Sequence, residues 1–416
     1  MSVIRGFKGY RPTKELCSRV AALPYDVMNS AEAREMVKDN PYSFLHVDRA
    51  EIDLPVGTDI YSQQVYDKAA SNLNKMISDG IYIQDEKPVM YIYTLTMNGR
   101  KQTGLVICAS IDEYINNKIK KHELTREDKE QDRINHVDNC NANTGPIFLT
   151  YRNKAEINEI IEKWINDNEP VYDFVSEDNI GHTVWVIDND NVINILKKAF
   201  EQVPSLYIAD GHHRNASAVK VGLKRRAELG DNYDINAEFN YYLAVAFPDN
   251  QLHIMDYNRV VKDLNGNNKE EFLNKVQECF DIEEYNEKGC LKPEKPHTFG
   301  MYLDNKWYLL KAKNNIIDEN DPVKVLDVSI LQEYLLTPIL GIGDPRVDKR
   351  IDFVGGIRGL EELEKRVNSG EMTVAFSMYP TSMDQLMNIA DADKIMPPKS
   401  TWFEPKLRSG IFVHKL

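Results

Sequence analysis

The chain has 416 residues, a length that allows two or three domains, each with its own core. Hydrophobic residues make up 42% and charged residues 28%, as in a soluble globular protein, and the net charge of −14 argues against duplex nucleic acid as the main partner, since such binders carry a basic face. Five scattered cysteines without a C-x-x-C pair predict reduced thiols in a cytoplasmic protein, and with no apolar signal core near the start and no run approaching eighteen apolar residues, neither a secretory signal nor a membrane span is predicted.

Turns at Arg11-Pro12 and Leu23-Pro24-Tyr25-Asp26 precede a short helix over about 31–38, with Asn29 as its cap, Glu32 reaching back to it, and Asn40-Pro41 ending it. A longer helix is predicted over Ile60–Asp79, with Tyr61, Val65, Leu73, Met76 and Ile77 facing inward and Gly80 closing it. Residues 89–97 and 101–109 read as a hairpin around Asn98-Gly99, a pair that tolerates the backbone of a tight turn. A densely charged stretch, Lys118–Arg133, follows. Helices near 155–166 and 192–203 are separated by strands near 171–175 and 182–187.

An apolar strand, Leu206–Ala209, then runs into Asp210-Gly211-His212-His213-Arg214 and a helix marked by Ala216, Val219, Leu223 and Ala227 at helical spacing. Beyond it come strands over 241–247 and 252–261, a candidate linker at 262–268, and a helix over 269–280. A hairpin turning at Asp304-Asn305, a helix over 327–336, a Gly/Arg-rich stretch over 341–359 and a helix over 360–367 lead to a strand over 373–378, a helix over 383–390 and a closing strand over 410–416. Helices interleave with strands and hairpins, which predicts an α/β or α+β fold with mixed sheets and flanking helices. The linker divides it into an N-terminal domain, 1–262, carrying the Asp-Gly-His-His-Arg run, and a C-terminal α/β domain, 269–416, closing over the site.

The run at 210–214 is the richest in chemistry. Glycine permits a tight turn, the first N–H groups of the next helix attract an anion, and the Arg214 guanidinium adds a charge suited to phosphate. This signature resembles the ParB/sulfiredoxin-like superfamily, whose members grip nucleotide phosphates at such a helix start. Sulfiredoxin has a cysteine after the glycine where this chain has His212, and ParB-type proteins carry DNA-binding helices that fit poorly with an acidic chain. Free-serine kinases, with an Asp-Gly-His-His-type run, are the most similar branch. Further marks are Tyr25-Asp26-Val27, Asn40-Pro41-Tyr42, His122-Glu123-Leu124-Thr125, Asp132-Arg133, Tyr257-Asn258-Arg259 and the segment Met396–Lys406. Together they resemble a bacterial and archaeal family long filed as a domain of unknown function. The resemblance implies a ParB/sulfiredoxin-like phosphate-binding core and phosphorylation of free L-serine from ATP, ADP or pyrophosphate with Mg²⁺.

Such chemistry needs a group to take the hydroxyl proton and cations to meet the phosphoryl charge. No G-x-x-x-x-G-K-[ST] loop is present, so the phosphate cradle is assigned to Gly211 and Arg214, with Asp210 holding the metal or orienting a histidine and His212 and His213 carrying catalytic charge. A plainer reading has Asp210 capping the helix and both histidines facing solvent. Glu123 is the candidate base, with His122 and Arg133 toward the substrate; alternatively, 120–133 is a solvated charged helix. His122-Glu123 lacks a second histidine four positions on, and His136 lies too far along, so no zinc site is predicted. Lys399, Ser400, Thr401 and Lys406 are candidate contacts to donor phosphates, or else part of a segment wrapping the core. The stretch 341–359 is read as turns, and Tyr257-Asn258-Arg259 as a strand beside the central motif. A nucleotide sensor and a phosphate hydrolase remain the rival functions.

Overall fold

The computed structural model describes residues 2–416, and the chain folds as two units: one runs to Leu252 and takes up Pro405–Leu416, the other is His253–Glu404. Among the described residues, nine strands build the sheet of the first unit. They are β1 (Ile4–Arg5), β2 (Met90–Met97), β3 (Arg100–Ser110), β4 (Ile119–Lys120), β5 (Ile147–Tyr151), β6 (Tyr172–Val175), β7 (Gly181–Ile187), β8 (Leu206–Asp210) and β9 (Tyr241–Pro248). Their order is β4-β8-β5-β9-β3-β2-β7-β6, with β1 alongside β3. The sheet is mixed: β4 is parallel to β8 and β5 to β9, while the other neighbours are antiparallel. The β2–β3 hairpin turns at Asn98 (φ 51°) and Gly99 (φ 78°), the left-handed pair that matches strand twist.

Continuous apolar runs occupy the middle of this sheet because both faces are covered; seven of the eight residues of β9 are buried. The longer helices of the first unit are α1 (Ser30–Val37), α2 (Gln63–Ser78), α3 (Glu127–Cys140), α4 (Ala155–Asp167), α5 (Asp190–Glu201) and α6 (His212–Leu229). Ile157 and Ile161 of α4, Ile193, Leu196 and Phe200 of α5, and Ala218 and Val219 of α6 pack into one core with Ile92, Ile107 and Leu149 of the sheet. A second core joins Val65, Ala69 and Leu73 of α2 to Phe44, Leu45, Val47 and Val413. The α1 cap forms as the sequence predicts, with Asn29 accepting from Glu32 N–H and Glu32 answering the Asn29 N–H. The C-terminal segment is tied back by paired Tyr10–Val413 backbone bonds and by Tyr82 Oη donating to the Gly410 carbonyl. No helix among the described residues is long and apolar enough to cross a membrane.

In the second unit the strands β10 (Tyr257–Val261), β11 (Phe280–Tyr285), β12 (Thr298–Leu303), β13 (Lys306–Ala312), β14 (Ile351–Gly355) and β15 (Val374–Met378) lie in the order β11-β13-β12-β15-β10-β14. Helices α7 (Lys269–Cys279), α8 (Glu361–Asn368) and α9 (Met383–Asp391) accompany this sheet. Val260, Tyr302, Trp307, Leu363 and Ala375 centre its core. The β12–β13 hairpin turns at Asp304 (φ 52°) and Asn305 (φ 59°), as the sequence predicts.

Several expectations change. Residues 120–133 are not one helix: β4 ends at Lys120, a loop carries residues 121–126, and α3 begins only at Glu127. Nor are they solvated throughout, since Glu130, Asp132 and Arg133 are buried. The single strand over 252–261 is divided into Ile254–Met255 and β10, and β10 pairs with β14 and β15, so Tyr257-Asn258-Arg259 is a strand of the second unit's sheet and not of the sheet that carries the central motif. The terminal strand shrinks to His414–Lys415. Tyr61 precedes α2 and is exposed, and Leu223 and Ala227 of α6 are exposed as well; periodicity overstated both buried faces.

Candidate active site

The site in the first unit follows from strand direction. Because β4 and β8 are parallel neighbours (Ile119 beside Leu206, Lys120 beside Tyr207), the chain leaves both at the same end of the sheet. That end therefore receives both His122-Glu123 and Asp210-Gly211-His212. β5 runs the other way, so its entry, Gly145-Pro146, arrives there too. Between Ile208 and Asp210 the register against β5 slips by one, a bulge that re-aims the end of β8.

Gly211 has φ 90°, a conformation that disfavours any side chain, and a Cβ there would lie 3.1–3.2 Å from the Arg214 guanidinium. Arg214 thus folds back over the turn. Its Nη1 donates to the Pro146 carbonyl (2.7 Å) and its Nη2 to Asp210 Oδ2 (3.2 Å), leaving the side chain 12% exposed. Lys406 Nζ lies 3.3 Å from Asp210 Oδ1. Burial pushes the Asp210 carboxyl up, but Lys406 and Arg214 outweigh burial and hold it down at about 2. Asp210 is therefore no helix cap: Gly211 takes the N-cap position, and no side chain caps α6. Both oxygens of Asp210 face cations, so its carboxylate ties Arg214 and Lys406 to the turn.

The histidines do not face solvent either. His212 and His122 are buried, with ring centroids 4.5 Å apart and planes at 89°. Burial pushes His122 down to about 4 against the pull of Asp210, and burial with His122 alongside holds His212 well below its ordinary value. Both are neutral near pH 7. His212 Nδ1 is 3.8 Å from Oε2 of the half-exposed Glu123. His213 is held differently, its Nε2 accepting the Arg126 N–H at 3.1 Å, which puts its own proton on Nδ1.

A cleft beside Arg214 is lined by Tyr25, Asp48, Arg133, His136 and Thr144. A second cleft shares Tyr25, Asp48, Arg133 and His136 and adds Arg49, Glu51, Lys129 and Asp132. Arg133 sits 4.0 Å over the Tyr25 ring and meets Asp132 at 2.9 Å; burial opposes its charge, but Asp132, Tyr25 and Asp48 more than offset that. Asp48 accepts from Thr144 Oγ1 at 2.8 Å and His136 Nε2 meets the Val47 carbonyl at 3.0 Å. Asp48, Thr144 and Pro146 carry no motif in the sequence, and only the nearness of Asp48 to Asn40-Pro41-Tyr42 marks any of the three.

Lys399, Ser400 and Thr401 belong to the second unit. There Arg259 Nη2 donates to the Lys399 carbonyl (3.1 Å), Thr381 Oγ1 to the Ser400 carbonyl (3.0 Å), and Ser400 Oγ to the Pro397 carbonyl (2.6 Å).

Among solved structures, a free serine kinase variant in complex with AMP is 14% identical, with 74% of this chain and 91% of that chain covered and a TM-score of 0.37. A conserved hypothetical protein from Pyrococcus furiosus is 16% identical (74% and 94% covered, TM-score 0.35). C-terminally truncated SbnI from Staphylococcus aureus is 11% identical (73% and 85% covered, TM-score 0.38). No curated protein matches the chain. The model of the family described as "Protein of unknown function (DUF1015)" matches residues 4–329, and the chain belongs to that family.

Proposed function

We propose that the first unit is a small-molecule phosphotransferase that phosphorylates free L-serine to O-phosphoserine, with ATP, ADP or pyrophosphate as donor. The observation that carries this reading is the Arg214 guanidinium, folded over a glycine turn at a helix start that no side chain caps and bordering a cleft with Arg133 and Asp48. A helix start with free N–H groups and an arginine fork is suited to phosphate. A small amino acid needs one cation for its carboxylate and one anion for its ammonium, roles that Arg133 and Asp48 can fill in the same cleft. The resemblance of the 210–214 run to free-serine kinases points the same way.

In the reaction, the serine hydroxyl oxygen forms a bond to the donor's terminal phosphorus while the bridging P–O bond breaks, and the hydroxyl proton passes to Glu123, whose half-exposed carboxylate can reach an entering substrate. Arg214 and the first N–H groups of α6 hold the donor phosphates and meet the charge on the leaving group. Asp210 fixes Arg214 and Lys406 in place, and Mg²⁺ comes with the donor as its counter-ion. Lys399, Ser400 and Thr401 are proposed as further donor contacts on composition alone.

Incubating the protein with serine, Mg²⁺ and each of ATP, ADP and pyrophosphate tests the reading, with phosphoserine as readout. One donor should yield serine-dependent phosphoserine. Donor binding without phosphoserine would make the protein a sensor, and phosphate release indifferent to serine would make it a hydrolase; either result overturns the proposal.

A further inference from the structure

We propose that His122, Glu123 and His212 form a binding site for a zinc-class divalent cation, an inference that does not depend on the phosphotransfer reading. Each of these residues offers one ligand atom, and the three atoms lie within 4.8 Å of one another. A zinc ion holds imidazole nitrogens at about 2.0–2.1 Å and carboxylate oxygens at about 2.0–2.2 Å, so tetrahedral donors stand roughly 3.4 Å apart. His212 Nδ1 and Glu123 Oε2, at 3.8 Å, are already close to that spacing. Modest ring rotations would close the rest.

The second observation is independent of the spacing. His122 is 2% exposed and His212 6%, yet among the described residues neither ring nitrogen of His122 nor Nε2 of His212 has a hydrogen-bond partner of normal geometry. From the backbone, the Ile208 carbonyl also bears on His122. Buried imidazoles ordinarily satisfy both nitrogens, and a cation would take one nitrogen of His122, both of whose nitrogens lack such a bond, together with Nδ1 of His212 on its Glu123 side. Sequence spacing hid the arrangement because the second histidine comes from another element. β4 delivers His122-Glu123 and α6 delivers His212 from the far side of a parallel strand pair.

The donor set selects the cation. Mg²⁺ prefers an all-oxygen octahedron, whereas two imidazoles and one carboxylate suit zinc and its first-row neighbours. Glu123 supplies one negative charge, and Asp210 acts electrostatically on both rings, opposing the repulsion from Lys121 and from the start of α6. Three protein ligands leave the fourth position open on the half-exposed Glu123 side, where water or a phosphate oxygen can enter.

The full chain, stripped with chelator and then titrated with Zn²⁺, Co²⁺ and Mg²⁺, tests the site. One equivalent of Zn²⁺ should bind with submicromolar Kd, Mg²⁺ at least a hundredfold more weakly, and Co²⁺ should show visible bands of nitrogen and oxygen ligation. His122→Asn and His212→Asn should each weaken Zn²⁺ at least tenfold, and His46→Asn should not. Since the two buried positions can disturb folding, Glu123→Ala, at a half-exposed position, is the third variant and should also weaken Zn²⁺ tenfold. Unchanged Zn²⁺ affinity in folded Glu123→Ala, Co²⁺ spectra of thiolate ligation, or Zn²⁺ binding no tighter than Mg²⁺ would each overturn the proposal.

Discussion

Two donor-rich clusters, one in each unit, handle their polar groups in opposite ways. Around Lys399–Thr401 the segment is satisfied from within: Arg259, Thr381 and Ser400 spend their donors on its own carbonyls and on Pro397. Around the end of β8, by contrast, three buried ring nitrogens have no hydrogen bond of normal geometry and the start of α6 has no side-chain cap among the described residues, and an arginine fork borders a cleft. Similar composition therefore has different meanings. A loop that closes its own hydrogen bonds gains rigidity, while a corner that leaves them open is prepared for something from outside.

Glu123→Gln should sharpen this contrast most. It should reduce phosphoserine formation by about 10²–10⁴-fold, the usual worth of a positioned base, while donor affinity measured by calorimetry stays within about twofold. Equal turnover in the variant would remove Glu123 from the chemistry.

Asp327 tests whether an open polar group away from the β8 corner is only a structural burden. It is buried in the second unit, accepts the His297 N–H at 2.9 Å through Oδ1, and has no partner on Oδ2 among the described residues. Burial pushes its carboxyl up to about 7, with the His297 N–H pulling the other way. The folded chain thus holds an extra proton between about pH 4 and 7, and stability falls as pH rises through that window. Asp327→Asn, which keeps the acceptor for His297, should raise unfolding free energy by up to roughly 4 kcal/mol at pH 8 and leave it unchanged near pH 4 in denaturant titrations. A flat pH response would show that the carboxyl is not strained.

Arg214→Ala should weaken donor binding about 10–100-fold, the worth of a charge-assisted contact of roughly 1.5–3 kcal/mol. Arg214→Lys should recover little of it, because a single ammonium cannot meet the Pro146 carbonyl and Asp210 at once and still face the donor. Full rescue by lysine would reduce the fork to a point charge. Lys399→Ala is the smallest effect, a loss of about two- to threefold in donor affinity; an unchanged affinity would remove Lys399 from the proposed donor contacts.

The strand, turn and helix around Asp210–Arg214 were legible because each is encoded within a few residues, by an apolar run, a glycine and a helical period. Both Asn-containing hairpins and the Asn29 cap were legible for the same reason. Long-range pairing was not. That β4 lies parallel to β8 depends on strand order, so the meeting of His122 and Glu123 with His212 left no trace in spacing. The burial of Asp132 and Arg133 depends on Tyr25, Tyr66 and Asp48, which are distant in sequence, so a charged stretch looked solvated. Lys406 meets Asp210 only because the last dozen residues return to the first unit, and charge patterning cannot announce a return. The bulge at the end of β8 was equally silent.

β4 is two residues long and outermost in its sheet, so the segment carrying His122 and Glu123 follows a strand held by two residue pairings. Insertions or deletions there need not shift the registration of any central strand. On the proposed reading, acceptor choice can therefore drift among descendants of this chain while the turn at Gly211, one strand further into the sheet, stays as it is.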